Sequence, residues 1–119
     1  MSLGIPAGDL LMRLLDASSL RKDVLASNLS NQNTPGYRRQ TVRFEELVEE
    51  ALASGRGDPR GVRPMVETDT RTPARADGNN VNLELELGAL GANRLAYESY
   101  LAMMRSRFEM LRASIESGR

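Results

Sequence analysis

In residues 82–117, Leu83, Leu87, Leu90, Tyr97, Leu101, Met104, Phe108, Leu111 and Ile115 recur at alternating spacings of four and three, with Arg94 the one polar place on the row. That alternation predicts one face of a long helix pressed against another helix. At 1.5 Å per residue the helix would be roughly 54 Å long. A lone helix cannot bury its own stripe, so the fold of the whole chain depends on what covers this one.

The first cover to consider lies near the other end. Leu10, Leu14, Ala17 and Val24 form one apolar row, and Leu11, Leu15, Leu25 and Leu29 a second beside it. Together they predict an amphipathic helix over residues 9–31, with Asp9 as N-cap or an earlier start that takes Pro6 into the first turn. Arg21 and Asn28 interrupt the first row, and Ser18 and Lys22 the second. A connection of about fifty residues, well beyond an ordinary loop, lets the two helices lie antiparallel. The expected fold is mainly α. Long N- and C-terminal helices pack as an antiparallel coiled-coil-like pair, and a short irregular middle segment holds a small helix and short strands. The expected division is a helical core of residues 1–33 plus 82–119 and a middle segment of 34–81 that makes outer contacts.

The helices differ in reach. The first spans roughly 35 Å and the last roughly 54 Å. The surplus would carry several large apolar side chains, worth about 5–9 kcal/mol of burial before ordering costs. That is comparable with the stability of a small domain, so the overhang predicts burial against another molecule.

Between the helices, Pro35 disfavours helix at Thr34 and ends the first helix. Thr34-Pro35-Gly36-Tyr37 fits a type II turn, with Gly36 where φ must be positive. Residues 37–42 are an extended candidate. Phe44, Leu47, Val48, Ala51 and Leu52 predict a helix over 43–53. Residues 54–80 hold Gly55, Gly57, Pro59, Gly61, Pro64, Pro73 and Gly78 and read mostly as loop, with one or two short strands in 62–71. Arg38, Arg39 and Arg43 next to Glu45, Glu46, Glu49 and Glu50 read as a solvated or subunit-facing charged surface.

The chemistry that is missing narrows the function. The chain has no histidine and no cysteine, which removes the commonest general base, the commonest transition-metal ligand and any disulfide. Sixteen basic residues balance sixteen acidic ones, so net charge points to neither nucleic acid nor an anionic membrane. Asp77-Gly78-Asn79-Asn80 fails the EF-hand template and reads as a turn into an Asn82 N-cap. Glu84 and Glu86 lie two apart on a helix, which makes a poor acid/base pair. No catalytic, cofactor-binding or metal residues are expected, and the chain does not read as an enzyme. Residues 1–19 contain no long apolar run behind a positive segment, so neither a cleaved signal peptide nor direct membrane insertion is expected.

The residues around the turn carry a resemblance. Asn28, Asn31, Asn33, Thr34, Pro35, Gly36 and Tyr37, preceded by Arg21 to Ser27, resemble the N-terminal motif of bacterial flagellar rod and hook proteins, departing from it at Ser30 and Gln32. Asp77-Gly78-Asn79-Asn80-Val81-Asn82-Leu83-Glu84 resembles the segment that opens the last helix of proximal-rod members of that family. The resemblance spans about residues 10–47 and 77–116. It implies a structural subunit of the flagellar basal-body rod, lying in the periplasm and exported by the flagellar export apparatus without a cleaved signal. It implies as partners other copies of the chain, other rod proteins and the adaptor between rod and membrane ring. Leu10, Leu14, Leu25, Leu29, Leu87, Leu90, Tyr97, Leu101, Met104, Phe108, Leu111 and Ile115 are the expected packing and assembly residues. The alternative is a helical adaptor or secretion-chaperone-like binding module.

Overall fold

A computed structural model describes residues 7–55 and 61–118. Pro6, Gly57 and Pro59 therefore lie outside the described residues. Five elements follow in order: α1 (Ala7–Ser30), β1 (Gln40–Arg43), α2 (Glu45–Ser54), β2 (Met65–Thr68) and α3 (Leu83–Ser117). The two long helices pack against each other, as expected. Their antiparallel sense is set by three points of contact: Asn28 meets Glu86, the Ser18 carbonyl meets Asn93, and Gly8 lies against the Arg107 side chain.

The N-cap of α3 is Asn82, whose side chain accepts from the Leu85 N–H. The helix then runs unbroken through Gly88 and Gly91, where a Cβ would meet open space. Neither glycine therefore serves a close approach within the chain. Because Gly8 sits at the level of Arg107, residues 108–117 extend about 15 Å past the described start of α1. The unequal reach predicted from the sequence is present.

The helices meet on a different face of α3 from the one its leucines suggest. The buried residues of α3 are Glu86, Asn93 and Met104, with Ala89 beside Arg21, Val24 and Leu25. That seam lies about a quarter-turn around the helix from the apolar row, at 100° per residue. Leu90, Leu101 and Met104 sit where row and seam overlap and are covered or half-covered. Leu83, Leu87, Phe108, Leu111 and Ile115 are exposed. The hydrogen bonds of Glu86 and Asn93 to α1 fix the rotation of α3, because leaving such groups buried and unpaired would cost more than exposing leucines.

In the middle, β1 and β2 pair antiparallel with Val42 opposite Val66. The small helix forms within two residues of its predicted ends. Phe44, just before it, is buried and anchors it, while Gly55 ends it in the left-handed region at φ 62°.

Candidate functional site

The interruptions in the α1 rows are where the rest of the chain attaches. Asn28 is fully buried and uses its whole hydrogen-bonding capacity. Its Nδ2 donates to the Gln40 carbonyl (2.8 Å) and to Glu86 Oε2 (3.2 Å), and its Oδ1 accepts from Gln40 N–H (2.9 Å) and the Tyr37 hydroxyl (3.1 Å). Asn28 thus behaves toward β1 as a neighbouring strand would. Arg21 grips Glu45 with both nitrogens (3.0 and 2.7 Å) and also donates to the Val42 carbonyl (3.1 Å). This bidentate contact, opposed by partial burial, holds the Glu45 carboxyl below its ordinary range.

The turn after α1 has the expected geometry. Gly36 has φ 75°, and Tyr37 N–H donates to the Thr34 carbonyl (3.2 Å). Asn31 Nδ2 caps the Ser27 carbonyl, and its Oδ1 accepts from the Thr34 hydroxyl. Asn33, Thr34, Pro35 and Gly36 face outward.

Residues 77–81 close over this turn. Gly36 N–H donates to the Asp77 carbonyl (2.8 Å). Asn79, fully buried, donates to the carbonyls of Asn31 and Thr34 (2.8 and 2.9 Å) and accepts from Val81 N–H. Asn80 inserts between Arg39 and Asp69, accepting from one backbone and donating to the other. Arg75 donates to the carbonyls of Val81 and Gln32. Gly78, at φ 85°, lies so near Gly36 that a Cβ would come within 3.2 Å of the Gly36 Cα. A side chain there would be strained by its φ and obstructed by backbone.

Beneath the turn sits a charge triad. Arg39 donates to Glu86 Oε1 (2.6 Å) and Asp69 Oδ2 (2.8 Å). The Glu86 side chain is 1% exposed. The Thr72 hydroxyl and then Arg39 hold Asp69 well below the usual carboxylate range. Arg39, read from the sequence as part of a solvated or subunit-facing charged surface, is thus half-buried and spends its charge within the chain. Among the described residues, no side-chain polar atom is buried without a partner, no acidic cluster could hold a metal and no helix is long and apolar enough to cross a membrane.

The motif found in the sequence and the segment opening α3 are therefore two halves of one polar clasp. The sequence pointed to Asn28, Asn31 and Tyr37, but it read Asn79 and Asn80 as a turn and Arg39 as part of a charged surface, and it placed neither Glu86 nor Asn93 at this junction. The one available signal lay in α1, where Arg21 and Asn28 stand at positions the periodicity calls apolar.

Of the packing residues named from the sequence, Leu25 and Met104 are buried, and Leu10, Leu14, Leu29, Leu90 and Leu101 are half-buried. Leu87, Tyr97, Phe108, Leu111 and Ile115 lie exposed on α3, with Phe108 at 64% and Ile115 at 65%. Leu85, Leu95 and Met110 form a second exposed set on the opposite side of the helix. These are large apolar side chains left to solvent in the single chain.

Comparison with known proteins finds a likeness over the motif and along most of the chain. A family model described as flagella basal body rod protein matches residues 12–38, which hold most of α1 and the turn. The flagellar basal body rod protein FlgB of Borrelia hermsii is 29% identical, over 91% of this chain and 94% of its own length. Those of Salmonella typhimurium and Bacillus subtilis are 24% and 25% identical, over 87% and 88% of this chain and 88% and 89% of their own. With the motif at the junction and the likeness running along nearly the whole chain, this protein is similar, from α1 to α3, to flagellar basal body rod proteins of the FlgB kind.

Proposed function

We propose that the chain is a structural subunit of the proximal rod, polymerising through its terminal helices to build the shaft between the membrane ring and the distal rod and hook. The observation that carries this is the exposed apolar surface of α3, from Leu87 past the end of its pairing with α1 to Ile115. Burying each such side chain is worth about 1.5–3 kcal/mol, which a monomer forgoes and an assembly recovers. In this reading the helical pair forms an inner layer around a tube, and residues 34–81 lie outside it and meet neighbours. Contacts between unlike faces extend without closing, as a shaft requires. The partners are further copies, other rod proteins and the adaptor to the membrane ring. The place of action is the basal body within the periplasm, reached through the flagellar export apparatus without a cleaved signal. The clasp has the character of a mechanical joint, and its side chains offer no converging set for catalysis.

The test is a concentration series in circular dichroism and sedimentation. A rod subunit gains helicity and mass together, without a limiting size, as concentration rises or as partner rod proteins are added. A discrete dimer, fully helical at the lowest concentration, would favour an adaptor or chaperone-like module instead.

A further inference from the structure

The outer side of α1, turned away from α3, repeats every seven residues. Asp9, Asp16 and Asp23 form one row, and all three are exposed. None of them makes an ion pair or a side-chain hydrogen bond among the described residues. Met12, 54% exposed, stands three residues after Asp9 and four before Asp16. Arg13 takes the other flank of the row, four after Asp9 and three before Asp16.

The free end of α3 has the same layout with the charges exchanged. Arg105 and Arg112 form an exposed row seven apart. Phe108, also exposed, stands three residues after Arg105 and four before Arg112, and Ile115 stands three after Arg112. Glu109 and Glu116 take the flank that Arg13 takes on α1. Arg105 has no acidic partner among the described residues. Arg112 has Glu116, one turn along at 3.4 Å, with both side chains largely in water. A surface pair of that kind is worth little.

We propose that this end of α3 packs antiparallel against the outer side of α1 of a second copy, with Arg105 over Asp23 and Arg112 over Asp16. Flanking rows of the same kind face each other across an antiparallel pair. Arginines therefore meet aspartates, Ile115 meets Met12, and Glu116 meets Arg13. The charges select the occupant. Two α3 ends brought together so would set arginine against arginine, and two α1 faces aspartate against aspartate. They also select the register, because sliding one heptad toward the start of α3 sets Asp23 against Glu98. In the matched register the neighbour's α1 is displaced by about 20 Å from the chain's own. Its residues 11–20 then run beside 108–117, the stretch of α3 that its own α1 does not reach. Contact between unlike faces leaves one of each free on every growing row, so it repeats without closing. The inference rests on the rod assembly proposed above and identifies the faces that meet in it.

Cross-linking in isolated basal bodies tests it, because the chain has no cysteine of its own. Within one chain residues 23 and 105 lie about 20 Å apart along the helices, too far for a disulfide. A chain carrying Asp23→Cys and Arg105→Cys should give disulfide-linked dimers and higher multimers on oxidation, and either change alone should give none. Charge reversal supplies a second readout. Asp23→Arg or Arg105→Asp should each weaken self-association of the purified chain about three- to tenfold at low salt, and the two together should restore it. Wild-type chain missing from basal bodies overturns the rod reading itself. Doubly substituted cysteine chain present there without cross-linked multimers overturns this contact alone, and so does a double reversal that associates no better than either single one. The reversal decides even if the cysteine variant fails to incorporate.

Discussion

The clasp at one end of the helical pair and the overhang at the other invert the usual arrangement. At the clasp, Asn28, Asn79 and Glu86 are buried and fully bonded. At the overhang, Phe108, Leu111 and Ile115 are exposed. Apolar burial ordinarily holds a domain together and polar groups face water. Here hydrogen bonds and one charge triad fix how the segments meet, while much of the apolar surface is left over. Buried polar groups are exacting because each demands a particular partner, whereas apolar surface is permissive and sums by area. The lesson is a division of labour, in which internal geometry is set by polar groups and contact with other molecules is left to apolar ones.

Mutations can break that contrast. The largest effect on the stability of the isolated chain is expected from Arg39→Met, which strands Glu86 in the interior at a cost of about 3–5 kcal/mol in urea unfolding. Adding Glu86→Leu should recover most of that loss; no recovery would mean that Arg39 acts through packing instead. Next comes Asn28→Ala, which leaves both polar groups of Gln40 unmatched and should cost about 2 kcal/mol. Acid should act on the same region. Asp69 and Glu45 titrate below their ordinary range in the folded chain. Their stabilisation is therefore present above the unfolded carboxylate values of about 3.9–4.3 and is lost as pH falls through and below them. Nuclear magnetic resonance of Tyr37 and Thr72 should show the clasp loosening at low pH, and Asp69→Asn should remove part of that response. The smallest effect on the monomer is expected from Phe108→Asp and Leu111→Asp, within about 0.5 kcal/mol. Those two should nevertheless abolish incorporation and motility. Wild-type motility in both would count against assembly through this face, and a large monomer destabilisation would erase the contrast between the regions.

The elements were legible because their signals are local. Four-three periodicity marked α1 and α3, Pro35 and Gly36 marked the turn, and Asn82 marked the start of α3. The clasp was not legible because its bonds join residues far apart in sequence, such as Asn28 with Glu86 and Ser18 with Asn93. Nothing in a helical repeat says that Asn93, between Ala92 and Arg94, faces inward. The rotation of α3 was misread for the same reason. A wheel ranks faces by hydrophobicity, but here the inner face was chosen by fixed polar partners. Arg39 shows the limit most plainly, since its company with Arg38 and Arg43 suggested a solvated or subunit-facing surface, while its actual surroundings come from Asp69 and Glu86.

The two-part construction of the clasp also bears on timing. Its first part, residues 28–40, is written early in the chain, and the side chains that complete it, from Asp69 to Glu86, arrive late. Until the second part is available, one Nδ2 hydrogen of Asn28 and one lone pair on each of the Asn31 and Thr34 carbonyls have only water to bond. A strand of protein that emerges head first therefore remains a loose thread until its tail follows, and locks into shape only when the whole length has come through.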